Sequence, residues 1–479
     1  MSFNLRASVV AVAGALLLTT GMSAMADSTT DIVNALVTKG VLTEEEGALL
    51  TRGRSEEVDT QAKKEKKFST SAVKIRGYVQ VRNTTMLGGD EGVNLWSDRS
   101  VGDDRSVGDQ DKNFLIRRAR VIIFGDVGER LSYYIQPDLA SSVGGTTNSN
   151  ASGAGNFAQL RDVYGDIYIT KNREHRVRVG QSKVPYGFEN LQSSQNRLAL
   201  DRADALNSAV RDERDLGAFY YYTPVATQEL FDEIQKAGLK HTGNYGQFAL
   251  GVYNGQGANA RDRNDNNHVV SRFTYPWKTA SGQIYEVGVQ GYHGQYVATT
   301  GGYTVNGAAV GAPALGELNA DGARSGRNGT KDQRVGVSFM MYPQPFGLQA
   351  EWNWGKTPGL DTTANEIQEK SLNGGYVQAM YKIDNFKVLD TNGTLIPFVK
   401  WQYFDGYNKA ETNAPENHVN DWEIGAEWQI APEVELVAYY HKMKRNNLVT
   451  GTLNPFVEAK SSYETFNAEA LRVQLQYNF

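Results

Sequence analysis

Leu471-Arg472-Val473-Gln474-Leu475-Gln476-Tyr477-Asn478-Phe479 ends the sequence on strict alternation, with Leu471, Val473, Leu475, Tyr477 and Phe479 on one side and Arg472, Gln474, Gln476 and Asn478 on the other. A period of two sends successive side chains to opposite faces of a strand, so one face meets an apolar medium and the other a polar one. The same pattern recurs upstream. Val73, Ile75, Val79 and Val81 oppose Lys74, Arg76, Tyr78, Gln80 and Arg82, and Val163, Ile167 and Ile169 oppose Asp162, Tyr164, Asp166 and Tyr168. Trp422, Ile424, Ala426, Trp428 and Ile430 oppose Glu423, Glu427 and Gln429. These polar faces are charged, which suits a wet lumen better than the outside of a small sandwich. Trp422 and Trp428 lie six residues apart on the apolar face, roughly 15 Å of height on a tilted strand, which fits a membrane belt.

About sixteen such strands can be counted, near 73–83, 114–124, 130–139, 159–169, 175–183, 217–223, 245–254, 268–276, 283–295, 332–342, 346–355, 375–383, 395–404, 421–430, 434–443 and 469–479. The connections alternate: long at 84–113, 140–158, 184–216, 296–331, 356–374 and 444–468, short at 125–129, 170–174, 343–345 and 431–433. Long loops at one end and tight turns at the other predict an all-β fold, a closed antiparallel transmembrane β-barrel. One connection, 224–244, breaks the rule: it is long where a turn belongs and carries the helix-like Leu230, Phe231 and Ile234. Either the count slips there or a turn holds a small helix.

Composition agrees. Mean hydropathy is −0.48 and no 18-residue apolar window follows the first residues, which excludes a helical membrane protein. Gly 49 and Tyr 25 are high, Pro is 12 and Cys is 0, so disulfide frameworks and thiolate metal sites fall away. Met1 to Arg6 carries one cation, Ala7 to Leu18 is apolar but short, and Ala24-Met25-Ala26 is a small-x-small site before Asp27. Residues 1–26 therefore read as a cleavable secretory signal. An even strand count leaves 27–72 in the periplasm: Ile32, Val33, Leu36 and Val37 repeat at helical spacing, Thr43 with Glu46 forms a capping box, and Arg52 to Lys67 is densely charged. Without Arg6 the chain holds 48 basic and 54 acidic residues, a mild acidity that argues against a nucleic-acid partner.

The stretch Phe114-Leu115-Ile116-Arg117-Arg118-Ala119-Arg120, then Gly125 and Tyr133-Tyr134-Ile135 through Asp138, resembles the first strand pair of the phosphate-selective porin O and P family. Gly180-Gln181-Ser182-Lys183-Val184-Pro185-Tyr186-Gly187-Phe188-Glu189 and Arg214-Asp215-Leu216-Gly217 resemble its next landmarks. The likeness is clearest over residues 73–222. It implies a sixteen-stranded homotrimeric barrel in the outer membrane of a Gram-negative bacterium, in contact with its lipid, with the loop after the fifth strand folded inward. A phosphate-specific basic ladder cannot be matched position by position, so the family's substrate does not transfer with its name.

The loop near 184–216 is the expected constriction. It holds Arg197, Arg202, Arg211 and Arg214 against Glu189, Asp201, Asp204, Asp212, Glu213 and Asp215. On the wall, lumen parity gives Lys74, Arg76, Arg82, Arg118, Arg120, Arg176, Arg178, Arg272, Arg334, Lys382, Lys400 and Arg472, against Asp138, Asp162, Asp166, Glu286, Glu351, Glu423, Glu427 and Glu435. Basic residues prevail on the first, second and fifth strands. With Lys183 at the loop's start, Lys74, Arg76, Arg118, Arg120, Arg176 and Arg178 become candidate anion-contacting residues, because guanidinium forks suit carboxylates and phosphates. Cross-strand pairing of Asp162 and Asp166 with Arg176 and Arg178 is the competing account.

These readings predict passive diffusion of small hydrophilic solutes with a lean toward anions such as phosphate. A sheath around a redox or other partner protein would share every strand pattern but needs an open bore, and a secreted soluble β protein would be extracted without detergent. Enzyme readings are weak. The six histidines, His175, His241, His268, His293, His418 and His441, are scattered without metal spacing, no phosphate-cradling Gly loop appears, and Asp262 to Asn266 lacks the Gly and distant Glu of a calcium loop. No catalytic residue, metal or cofactor is expected.

Overall fold

The computed structural model describes residues 36–39, 43–45, 48, 70–90, 93, 95, 112–140, 158–305, 308–316, 328–388, 390–448 and 463–479. The expected signal and most of 27–72 lie outside the described residues; in the latter, 36–38, 44, 45 and 48 are helical. No helix among the described residues is long and apolar enough to cross a membrane, so any crossing is made by strands.

Sixteen strands close into one antiparallel barrel: β1 Thr70–Gly89, β2 Lys112–Val127, β3 Leu131–Asp138, β4 Gln159–Tyr168, β5 His175–Lys183, β6 Arg214–Tyr222, β7 Phe248–Tyr253, β8 His268–Lys278, β9 Ile284–Tyr296, β10 Thr330–Met341, β11 Phe346–Asp361, β12 Glu366–Tyr381, β13 Thr391–Tyr407, β14 Glu416–Ala431, β15 Val434–Leu448 and β16 Tyr463–Asn478. Each pairs with its successor, and β16 pairs back to β1 in a register from Tyr78↔Asn478 to Gly89↔Ala468. At the seam Gly77 and Phe479 exchange both backbone hydrogen bonds, at 2.7 and 3.0 Å. A Cβ on Gly77 would fall 2.5 Å from the Arg120 backbone carbonyl as well as 2.4 Å from the Phe479 ring, so only glycine fits between the second strand and the last aromatic.

Burial is inverted relative to a soluble protein. Along β8, His268, Val270, Arg272 and Thr274 are buried while Val269, Phe273 and Tyr275 are exposed. The same holds at the sequence's end: Arg472, Gln474 and Gln476 are buried, and Leu471 and Tyr477 are exposed. Apolar side chains outside and ionic ones inside are stable only if the outer face meets lipid, where every backbone group must also be satisfied within the barrel. Outward aromatics cluster, with Trp401 and Trp422 6.4 Å apart between ring centres on β13 and β14 and Trp277 stacked on Tyr285 at 5.3 Å. Such rings suit the edges of a lipid belt. A closed barrel has no edge from which to unzip, so the folded chain should migrate faster than the boiled chain in detergent electrophoresis and fractionate with membranes; recovery in a soluble fraction would contradict this architecture.

One connection differs from the sequence reading, and a second settles an alternative that the sequence left open. The loop expected at 356–374 shrinks to 362–365, because β11 and β12 run on together through Lys356↔Ser371 to Asp361↔Glu366. Backbone pairing does not need apolar alternation, and beyond the belt both faces carry polar residues, so the pattern fades while the ladder continues. At 224–244 the count was right and the second alternative holds: helix α3, Val225–Lys236, sits at the end of the barrel where the other turns lie.

Candidate functional site inside the barrel

The connection after β5 enters the bore. Gly187, at φ 79, turns it into a short helix α1, Phe188–Leu191; helix α2, Asp204–Asn207, follows, then a 3-10 turn at Arg211–Glu213. Arg214 to Leu216, expected in the loop, already belong to β6. Residues 184–210 are almost wholly buried, and the contacts that bury them come from around the ring.

On β1, Tyr78 Oη and Ser194 Oγ are 2.6 Å apart, and Gln80 donates to the Ser194 carbonyl at 3.1 Å. Arg82 on β1 and Arg472 on β16 both reach the Asp201 carboxylate, at 3.2 and 2.6 Å. Arg445 on β15 donates to Asp204 at 2.6 Å, and Lys400 on β13 to Glu189 at 2.5 Å. Glu351 on β11 accepts from the Phe188 and Glu189 amides at 2.5 and 2.7 Å, and Arg334 on β10 donates to the Ala205 and Ser208 carbonyls at 2.9 and 3.0 Å. Ionic tethers in a poorly hydrated interior give direction as well as energy. The loop's acids Glu189, Asp201 and Asp204 are thus its attachment points, which its net charge does not reveal.

The basic residues singled out from sequence divide into three groups. Several are neutralised next door: Arg120 by Asp138 at 2.7 Å, Arg178 by both Asp166 oxygens at 2.7 and 2.9 Å, and Arg214 by Asp162 at 2.8 Å and Glu213 at 2.8 Å. Arg176 shares Asp166 at 3.6 Å, and Arg202 bonds Glu213. Burial works to raise the Glu213 carboxyl, but the guanidiniums of Arg202 and Arg214 hold it well below the usual range. A second group is buried without a carboxylate in ion-pair range among the described residues. Arg118 donates to Gln80 Oε1 at 2.8 Å, Arg197 to the Leu200 carbonyl at 3.1 Å, and Lys183 to the Leu191 and Gln192 carbonyls at 2.8 and 2.7 Å. Arg118 Nε and Arg197 Nε and Nη1 have no hydrogen-bond partner among the described residues. The third group is more accessible: Lys74 and Arg76 are exposed near the turn end beside the Phe124 ring, Arg76 on the lining of the turn-side cavity with Arg120, Arg176, Arg178, Lys183 and Arg214, and Arg211 is half-buried.

Below the loop, on the turn side, lies a cavity of about 1300 Å³ whose inner end is formed by Lys183 and Arg214 of the wall and Ser193 and Asn196 of the loop. Sequence reasoning missed several charged members of the interior. Arg445 falls in phase with His441 once β15 is run to Leu448, so a longer strand would have found it, whereas Asp332 already begins the expected 332–342 strand in phase with Arg334, and its parity alone marks it. Lys240 and Lys409 sit in connections, where no period marks them.

The family described as phosphate-selective porin O and P matches residues 92–479. The chain belongs to that family. No curated protein sequence matches. Among solved structures, this porin is similar to the outer-membrane channel DcaP of Acinetobacter baumannii at 15% identity and TM-score 0.46, over 85% of this chain and 97% of that one. It is similar to the anion-selective porin from Comamonas acidovorans at 13% identity and TM-score 0.45, over 86% and 100%. It also resembles OmpT of Vibrio cholerae, solved as a trimer, at 9% and 0.47, over 85% and 99%. Family membership makes the chain an outer-membrane channel, and the bore carries its chemistry.

Proposed function

We propose that this porin lets small hydrophilic solutes diffuse passively through a constriction formed by the 184–213 loop, that it prefers anions such as phosphate, and that it works as a homotrimer without making or breaking bonds. The carrying observation is the pair Arg118 and Arg197, buried with no carboxylate in ion-pair range among the described residues. A guanidinium already bound to a carboxylate has little field left for a passing ion, whereas an uncompensated one attracts anions and repels cations. At 4 Å that attraction is roughly 4 kcal/mol at an effective dielectric near 20, against about 1 in water. The chain's own loop also crosses the bore, which supports a channel over a sheath for a partner protein.

The test is the zero-current potential of purified protein in planar bilayers under a salt gradient. Wild type should favour anions. Replacing Arg118 and Arg197 together by Gln should move the potential toward cations, by more than replacing the matched pair Arg178→Gln with Asp166→Asn, which removes no net charge. A wild type that favours cations, or two variants that behave alike, would reduce the constriction to a size filter.

A further inference from the structure

The turn-end connection between β6 and β7 was the one irregularity in the sequence, and its path goes beyond the role just proposed. After α3 the chain does not return directly to β7 but passes through residues 237–247, where Leu239, Lys240, His241 and Thr242 are buried. Lys240 forms an ion pair with Glu427 on β14, far around the ring from β6 and β7. The loop from the other end meets this segment: Gln192 donates to the Lys240 carbonyl at 3.0 Å and Asn196 to the His241 carbonyl at 3.5 Å. Phe231, Ile234 and Leu239 join one buried apolar cluster with Phe188, Leu198 and Leu200 of the loop. The same cluster takes in wall residues of β9, β10, β12, β13 and β15, among them Tyr342 beside β10 and Phe398 on β13. Burial pulls the His241 imidazole down to about 4, in keeping with a segment packed out of bulk water.

From this geometry we infer that residues 225–247 are a second constriction element, entering from the turn end to brace the 184–213 loop and to fill one side of the bore, so that solutes are confined to the opposite side. The side it fills holds the apolar cluster together with the buried Lys240–Glu427 pair. The polar cavity is walled by Tyr164, Asp166, Arg176 and Arg178, on strands β4 and β5 across from the cluster. It meets the β12–β15 side at residues next to the turns, among them Lys382, Asp384 and Glu435, and residues 235–245 form part of its lining. Thr242 lies on this lining. The Lys240–Glu427 pair fixes the segment across the barrel rather than against its own hairpin.

This inference rests on the channel reading, and one experiment separates the two. In single-channel recordings, a wild type without conductance would sink the channel reading itself. With a conducting wild type, replacing 226–245 by a short Asn-Gly turn should raise unit conductance at least about twofold, since a filled part of the bore becomes water. Should that variant not assemble, the native absence of cysteine allows a second measurement: Thr242→Cys exposed to a bulky anionic thiol reagent should lose a substantial part of its current, while wild type keeps its own. Unchanged conductance in an assembled deletion variant, or a Thr242→Cys variant that does not react or reacts without loss of current, would overturn the inference.

Discussion

Deleting Leu471 to Phe479 is expected to abolish assembly of the barrel. Those residues are hydrogen-bonded on both sides, to β1 from Thr85↔Leu471 to Tyr78↔Asn478 and to β15 from Tyr440↔Leu471 to Val434↔Tyr477. Without them two strand edges face lipid, and each unsatisfied backbone group there costs several kcal/mol. The sum exceeds the roughly 5–15 kcal/mol that holds a typical domain together, so the expected result is loss of membrane insertion and of the heat-dependent shift, read by fractionation and electrophoresis. Leu475→Val, which keeps the alternation, should assemble. A truncated chain that inserts and shifts as wild type does would disprove closure through this strand.

That closing strand was legible because lipid on one side and water on the other impose a period of two, which needs no knowledge of neighbours. The same logic located all sixteen staves, and it fixed which side chains of β5 point inward. It offered Asp162 and Asp166 as partners of Arg176 and Arg178, and Asp166 is one, but Asp162 goes to Arg214 instead. Arg178 has the same parity as Arg176, yet Arg178 grips Asp166 with two bonds while Arg176 shares that carboxylate at 3.6 Å. Pairing depends on stagger between strands and on loops that cross the bore. Asp201 looked like one of six loop acids, and only its position against Arg82 and Arg472 shows it as an anchor.

A count of inward charges is therefore a poor guide to selectivity here. The basic excess on the first, second and fifth strands is real in sequence, but Asp138, Asp162 and Asp166 consume much of it. On the proposed reading, what remains for a passing ion is local, near Arg118, Arg197 and Lys183, whose hydrogen bonds go to neutral acceptors.

The loop that presents this field depends on Asp201, and Asp201→Ala should release it. The carboxylate stands between two guanidiniums, 3.2 Å from Arg82 and 2.6 Å from Arg472, all three buried. Removing the shared anion takes one carboxylate from both guanidiniums, and breaking a buried pair costs about 3–5 kcal/mol. The barrel's backbone ladder is untouched, so the cost falls on loop docking, and the undocked population should rise by roughly two to three and a half orders of magnitude, each 1.4 kcal/mol being tenfold. Trypsin should then cut at Arg197 and Arg202, both buried in the docked loop, and single-channel currents should become larger and noisier while heat-modifiable migration persists. The acid dependence follows from the same contacts. Burial works to raise the Asp201 carboxyl, but Arg82 and Arg472 hold it well below the usual carboxylate range. Its tether is therefore fully present above the unfolded value of about 4 and is lost only as pH falls through the lowered folded-state value. The Asp201 tether itself should survive mild acidification that protonates ordinary carboxylates, whereas burial raises the Asp204 carboxyl, so its contact with Arg445 should weaken first. A protease-resistant Asp201→Ala with wild-type currents would show that the remaining tethers suffice and that Asp201 is no anchor.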